Sequence, residues 1–296
     1  MKTSGFTYIR NGLSYGYPFI PSIKSLLPLV DELVVVVGDS IDGTRAEIEN
    51  LNNPKIKIID TIWDDELRAN GKIFALQSNI GLDNISGDWA IHLQADEVIH
   101  EASQQKFLDA IHKADGLKNI EGLLLPFYHF WGDYHHIRNT RRTHKHEIRA
   151  FKTNQFVRSY KDSQGFRNYP SQESYDAGEK GSKLKVMEID VPVFHYSYTR
   201  NPKLMKKKSN YFHRFWHNDT WLKEHTAEVD FDFNEVDRLE VFNGSHPIVM
   251  QEFIKQKDWD FEYDPTKSNM RVKDKFLNAF ERRFGFRPFG YKNYRR

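Results

Sequence analysis

Five consecutive aliphatic residues, Leu33 to Val37, constrain this chain's fold more than any other feature. The run is short and has no polar alternation, which is the pattern of a strand covered on both faces. Gly38 to Gly43 breaks it, and Thr44-Arg45-Ala46-Glu47 then reads as a capping box opening a helix, with Ile48 and Leu51 inward. The same alternation runs through the first hundred residues. Phe6 to Ile9 is β-prone, and Ile20 to Leu29 has helical spacing. Lys55 to Asp60 is a strand, and Ile73, Leu76 and Ile80 mark a helix closed near Gly81. Trp89, Ile91 and Leu93 alternate as a strand leading into Gln94-Ala95-Asp96-Glu97. Strands separated by helices predict a parallel sheet with right-handed crossovers, which binds ligands beyond the strands' carboxyl ends. Polar clusters stand at those ends: Arg10-Asn11, Asp39-Ser40 with Asp42, Trp63-Asp64-Asp65, and Gln94 to Glu97.

After residue 100 the pattern changes. Leu123 to Phe127, Ile148 to Phe151 and Leu184 to Tyr198 read as strands without crossover helices, so added antiparallel strands are expected. Segment 160 to 182 is rich in Gly, Ser, Asp and Gln and is expected to be a mobile loop. From Pro202 the chain reads as mainly helical, which makes residues 201–296 an extension on a domain of residues 1–200.

Composition narrows the chemistry. None of the 296 residues is cysteine, which excludes a disulfide framework, a thiolate metal site and a cysteine nucleophile. A net charge of +2 argues against wholesale nucleic-acid binding. Two local basic patches remain. Arg138, Arg141, Arg142, Lys145, Arg149 and Lys152 are opposed only by Glu147, and the segment from Arg282 to Arg296 interleaves basic and aromatic residues. The longest aliphatic run is far too short to span a membrane, and the N-terminus has no signal-peptide core. A soluble, cytoplasmic protein is expected.

Three features carry candidate chemistry. Gly38 to Thr44 is either an ordinary turn into a helix or a pocket edge where Asp39 meets a base or ribose. Asp96, at a strand's carboxyl end, is either a solvated terminus or a ligand for Mg²⁺ or Mn²⁺ beside a diphosphate. His195, in Val193-Phe194-His195-Tyr196-Ser197-Tyr198, is a structural histidine unless it reaches Asp96.

The layout SGFTYIRNG, DELVVVVGDSIDGT and SGDWAIHLQADEVIHE resembles the family-2 glycosyltransferases of the GT-A fold. The resemblance extends through KDSQGFR (Lys161 to Arg167) and FHYSYTRNPKLMKKK (Phe194 to Lys208), over roughly residues 4 to 216. It implies a Rossmann-like, mostly parallel α/β sheet with added antiparallel strands and a C-terminal helical extension. Residues 1–100 would form the nucleotide-sugar half and residues 101–200 the acceptor half.

The resemblance also implies an inverting, hexosyltransferase-type activity that moves a sugar from a UDP-, GDP- or dTDP-sugar to a glycan or lipid-linked acceptor, as in cell-surface glycan biosynthesis. Arg10, Asn11, Asp39, Gln94 and Asp96 fall on donor-binding positions, and Asp96 and His195 on positions that ligate a divalent cation, Mn or Mg. Gln94 stands where the first Asp of the Asp-x-Asp motif is usual and brings no charge, so arginine or lysine neutralising the leaving group is the alternative to a metal. Asp162 is the candidate base, with Glu97 and Glu147 as competitors.

Other readings stay open. A catalytically weak nucleotide-sugar binding module is one alternative and a nucleotidyltransferase another. The histidines at 129, 135, 136, 144 and 146 lack the spacing of a zinc site. The tail at 282–296 either packs on the domain or touches an anionic membrane surface at the inner face, and no nucleic-acid partner is expected. The aromatic excess lies mostly after residue 125, which points to the acceptor half as the carbohydrate-facing side.

Overall fold

The aliphatic run folds as expected. A computed structural model describes residues 1–64, 67, 71–162, 165–225, 229–285 and 287–296. Asp65, Ser163, Gln164 and Phe286 of the segments above lie outside the described residues. The chain begins β1 (Thr3–Ile9), α1 (Phe19–Leu26), β2 (Glu32–Val37), α2 (Thr44–Glu49), β3 (Ile56–Asp60), α3 (Lys72–Asp83) and β4 (Trp89–His92). Leu33, Val35 and Val37 enter one core cluster and Val34 and Val36 the other, so β2 is covered on both faces. Each of these side chains contributes about 1.5–3 kcal/mol relative to an exposed one.

Three local expectations change. Thr44 is not the cap of α2: Gly43, with φ of 84°, precedes the helix, and no side chain caps it. The Thr44 hydroxyl instead donates to Asp42 (2.5 Å) and accepts from the Gly12 amide (2.8 Å), tying the loops after β1 and β2 together. Gly81 lies inside α3, where a Cβ would stand 2.9 Å from the Phe6 ring, so it serves close packing rather than termination. Strand β4 does not alternate, because Ala90 and His92 are as buried as Trp89 and Ile91.

The middle of the chain adds β5 (Glu97–Ile99), α4 (Gln104–Asp115), β6 (Gly122–Trp131), β7 (His136–Ile137) and β8 (His146–Lys152). It continues through β9 (Val157–Ser159), β10 (Phe166–Asn168), α5 (Gln172–Asp176), β11 (Ser182–Lys183), β12 (Val186–Glu188) and β13 (Val193–Tyr198). The main sheet runs β3-β2-β1-β4-β8-β6, with β3, β2, β1 and β4 parallel and β8 antiparallel to both neighbours. This is the mostly parallel α/β architecture with antiparallel additions that the sequence predicts. The long β6 pairs antiparallel with β8 and β7 but in parallel with β12 and β13, while β13 runs antiparallel to β5.

Segment 160–182 is not a bare loop. Strands β9, β10 and β11 form a separate antiparallel sheet, and α5 sits between β10 and β11.

The remaining elements are α6 (Pro202–His213), α7 (Asp219–His225), β14 (Glu240–Val241), α8 (Gln251–Lys255) and α9 (Val272–Phe284). The last residues return to the body: Arg295 bridges Lys185 in parallel, and the Arg167 guanidinium donates to Asn293 (2.7 Å). The tail at 282–296 is therefore packed, at least in part.

Candidate functional site

The strand order reverses between β1 and β4. The chain leaves β1 toward β2 and β3 on one side, then returns to β4 on the other. At such a switch point the loops leaving the two carboxyl ends diverge and open a crevice. Here they deliver Arg10 from β1 and Gln94, Ala95 and Asp96 from β4 into one cavity of about 260 Å³. Tyr8, Tyr15, Tyr17, Trp63, Phe74, Tyr211, Phe212 and Trp216 supply its aromatic lining.

Asp96 is pinned by pairing between β5 and β13. Its carbonyl accepts from the Tyr196 amide (2.8 Å), and His195 stands opposite Glu97 in register. That register brings His195 Nε2 to 3.6 Å from Asp96 Oδ1. Lys208 Nζ lies 3.5 Å and Arg200 Nη2 3.8 Å from the other carboxylate oxygen. Burial works to raise the pKa of Asp96, but Lys208, His195 and Arg200 override it and hold the carboxyl far below the usual range. Burial, with Arg200 adding to it, brings the Lys208 ammonium down to about 7 against the pull of Asp96.

The hydrogen bonds around His195 define its chemistry. His129 is half-buried and held neutral, its pKa lowered to about 3 chiefly by desolvation. Its Nε2 donates to the His144 carbonyl (2.8 Å), so its Nδ1 must accept from His195 Nδ1, 2.8 Å away. His195 thus spends its Nδ1 proton on His129 and turns its Nε2 toward Asp96. An imidazole oriented by a hydrogen bond at its other nitrogen is the form that binds a metal.

Asp96 and His195 therefore suit a divalent cation, but they are only two donors. Among the described residues no group of three or more His, Cys, Asp or Glu could hold one. The donor set fits an ion whose shell substrate oxygens complete.

The other expected site residues separate clearly. Asp39 does not line the cavity; it holds Arg10 (2.8 Å) and accepts from the Trp63 amide (3.1 Å). Asn11 also stays outside. Its backbone is left-handed (φ 52°), its Oδ1 accepts from Ile41 and its amide donates to Ser40, so it clamps two loops. Asp162 lines the cavity from the turn between β9 and β10.

Neither competitor for the base is brought to the cavity. Glu97 accepts two bonds from Arg149 (2.7 and 2.6 Å) and is 1% exposed. Glu147 is half-buried, and burial pushes its carboxyl up to about 7, with Glu97 adding to the rise and Arg149 opposing it. The histidines at 129 and 144 cluster with His195 rather than scatter, and His129 meets His195 edge to face with ring centroids 5.0 Å apart.

Two features escaped sequence reasoning. Lys208 is the last of three consecutive lysines and has no role in the sequence reading, yet it is 7% exposed and lines the cavity. The available signal was position, because it falls three residues after Met205 and four before Phe212 on the inward face of α6. The cavity's aromatic wall is the other, because it does not follow the aromatic excess after residue 125. Tyr8, Tyr15, Tyr17, Trp63 and Phe74 come from the first hundred residues, and α6 closes over them. Phe74 stacks on Phe212 (5.3 Å) and Tyr15 on Tyr211 (5.2 Å). A boundary at residue 200 thus cuts through the cavity wall.

No family model matches the chain, and no curated protein matches it. Among solved structures, S. aureus TarS 1-349 is similar at a TM-score of 0.41 and 15% identity, over 72% of this chain and 64% of that one. The same fragment in complex with UDP gives 0.34 at 18% identity, over 49% and 40%. Glucosyl-3-phosphoglycerate synthase from Mycobacterium tuberculosis, in complex with Mn²⁺, UDP-glucose and glycerol 3-phosphate, gives 0.30 at 18% identity, over 43% and 44%. The match spans less than two thirds of each of these chains. Likenesses this slight say nothing about chemistry, which has to come from the cavity itself.

Proposed function

We propose that the chain transfers a sugar from a nucleoside-diphosphate sugar to the hydroxyl of a glycan or lipid-linked glycan acceptor, with inversion. One observation carries this reading: Asp96, which lines an aromatic-walled cavity at the sheet's switch point, has His195, Lys208 and Arg200 within 4 Å of its carboxylate. A diphosphate needs concentrated positive charge, while a base and a sugar ring offer flat apolar faces to aromatic walls. Arg10, held by Asp39 and by the Tyr211 hydroxyl (2.9 Å), binds the nucleotide from the β1 side. Gln94 adds a neutral amide for a ribose or sugar hydroxyl.

A divalent cation held by Asp96, His195 Nε2 and diphosphate oxygens would supply charge neutralisation for the departing group. Lys208, which lines the cavity, stabilises the leaving diphosphate, and Arg200, buried beside Asp96, adds positive charge there. Asp162 takes the proton of the acceptor hydroxyl as its oxygen bonds to the anomeric carbon. The bond from that carbon to the diphosphate breaks in the same displacement, and the electron pair leaves with the nucleoside diphosphate.

A thermal-shift panel of UDP-, GDP- and dTDP-sugars, with and without Mn²⁺, tests the reading. A donor at 100 times its dissociation constant adds about 2.7 kcal/mol, roughly 5–10 °C for a chain this size. No shift with any donor overturns the proposal. Binding without release of nucleoside diphosphate to any acceptor leaves a binding module, and pyrophosphate release from a nucleoside triphosphate indicates a nucleotidyltransferase.

A further inference from the structure

Helix α9 is mounted with its polar side inward. Asp274, Leu277 and Glu281 share the face turned toward the body, and Glu281 is only 5% exposed. Arg287 (2.9 Å), Arg141 (3.5 Å) and Lys145 all converge on the Glu281 carboxylate. This ion cluster fixes the helix rotation and leaves the apolar stripe outside. Val272, Phe276 and Phe284, at i, i+4 and i+12, are 83%, 71% and 64% exposed. Phe280, at i+8, is half-buried, with its ring 4.6 Å from that of Phe284.

The segment that follows repeats the pattern. Phe289 is 96% exposed and has a left-handed backbone (φ 58°), a conformation that side-chain-bearing residues rarely adopt. Tyr291 is 65% exposed. An amphipathic helix of a water-soluble fold ordinarily buries such a stripe.

The surrounding charge selects the partner. Residues 271–296 carry nine basic side chains against two acidic ones, and one of the two, Glu281, is consumed in the buried cluster. Lys273, Lys275, Arg282 and Arg283 are exposed beside the stripe. Phenylalanines flanked by cations on one helix match a surface that is apolar beneath and anionic at its boundary. No described helix is long and apolar enough to cross a membrane, so the contact is peripheral.

We propose that α9 and the segment after it dock the protein on an anionic lipid surface. Val272, Phe276 and Phe284 enter the boundary between headgroups and acyl chains, and the flanking lysines and arginines meet lipid phosphates. The sequence alone left such a contact at 282–296 as one of two readings; the exposed apolar stripe centres on Val272–Phe284 instead. The inference does not depend on what the β1/β4 cavity binds.

The test is co-sedimentation of the full chain with phosphatidylcholine vesicles, alone or with about one-third phosphatidylserine. Binding is expected only to the anionic vesicles and falls as salt is raised. Phe276→Asp with Phe284→Asp reduces it by at least about tenfold, and so does Lys273→Glu with Arg283→Glu. These exposed positions leave the melting temperature unchanged, which controls for folding. Failure of the parent protein to bind anionic vesicles overturns the proposal, as does binding that the phenylalanine variant leaves intact. A concentration-dependent dimer lost in that variant, without vesicle binding, would assign the stripe to a second copy of the chain and also overturn it.

Discussion

Replacing Glu97 by glutamine separates a structural carboxylate from a catalytic one. The Arg149 and Glu97 side chains are 3% and 1% exposed and share two short hydrogen bonds, with the guanidinium 5.0 Å over the Phe127 ring. Glutamine keeps the shape but removes the charge, leaving a buried guanidinium without its counter-ion. Breaking a buried pair from one side costs about 3–5 kcal/mol. At about 2–4 °C per kcal/mol for a large domain, the melting temperature falls by about 6–20 °C.

Glu147 gives the loss a pH signature. Burial pushes its carboxyl up to about 7, Glu97 adds to that rise and Arg149 opposes it. Without the Glu97 charge, Glu147 ionises more readily and takes over part of the compensation for Arg149. The destabilisation of Glu97→Gln is therefore smaller at about pH 8 than at about pH 6. Adding Arg149→Leu removes the orphaned charge and recovers most of the melting temperature. The assay is thermal unfolding of the three proteins at both pH values. A Glu97→Gln protein that melts within about 2 °C of the parent but has lost sugar transfer would refute the reasoning and return Glu97 to the chemistry.

Three further outcomes are expected. Asp162→Asn keeps donor affinity and loses about 10²–10⁴-fold in turnover; transfer at the parental rate would remove Asp162 from the role of base. Lys208→Met keeps the packing of the stem but takes a charge partner away from buried Asp96 and the Lys208 hydrogen bonds away from Ser197, so it melts below the parent while kcat/KM falls about 10²-fold. Unchanged kcat/KM would take Lys208 out of leaving-group stabilisation. Glu147→Gln bears on pH-dependent stability. Because the folded protein holds the Glu147 proton more tightly than the unfolded chain, that contribution is full below the ordinary carboxylate range and is lost as pH rises through about 7. The variant therefore gains melting temperature over the parent at alkaline pH and matches it in acid, and equal differences at both would contradict the buried carboxyl.

What could be seen in the sequence was set by short-range pattern. The run Leu33 to Val37 and the strand-helix alternation around it encode the parallel sheet, because a strand covered on both faces must be continuously apolar. The pairing of Asp96 with His195 was named as the decisive condition, but it depends on the β5–β13 register, which joins residues about a hundred apart. Glu97 and Asp96 are adjacent carboxylates in sequence, and no local pattern reveals that one meets Arg149 and the other Lys208. Lys208 was hidden inside a basic run because a buried lysine and a solvated one look alike until the partner carboxylate is placed. The aromatic lining was missed for the same reason: α6 folds back onto Tyr8, Trp63 and Phe74, and nothing near those residues announces a cover that arrives so much later.

That late cover matters during synthesis. Arg10 and Tyr211, which touch across the cavity, are 201 residues apart. At about 5–20 residues per second, α6 leaves the ribosome on the order of tens of seconds after β1. During that interval Tyr8, Trp63 and Phe74 stand at the edge of a forming sheet without the helix that later shields them. The nascent chain thus carries part of the cavity wall as an uncovered aromatic patch, and the stretch that completes the cavity is also the one that ends its exposure to chaperones and to neighbouring chains.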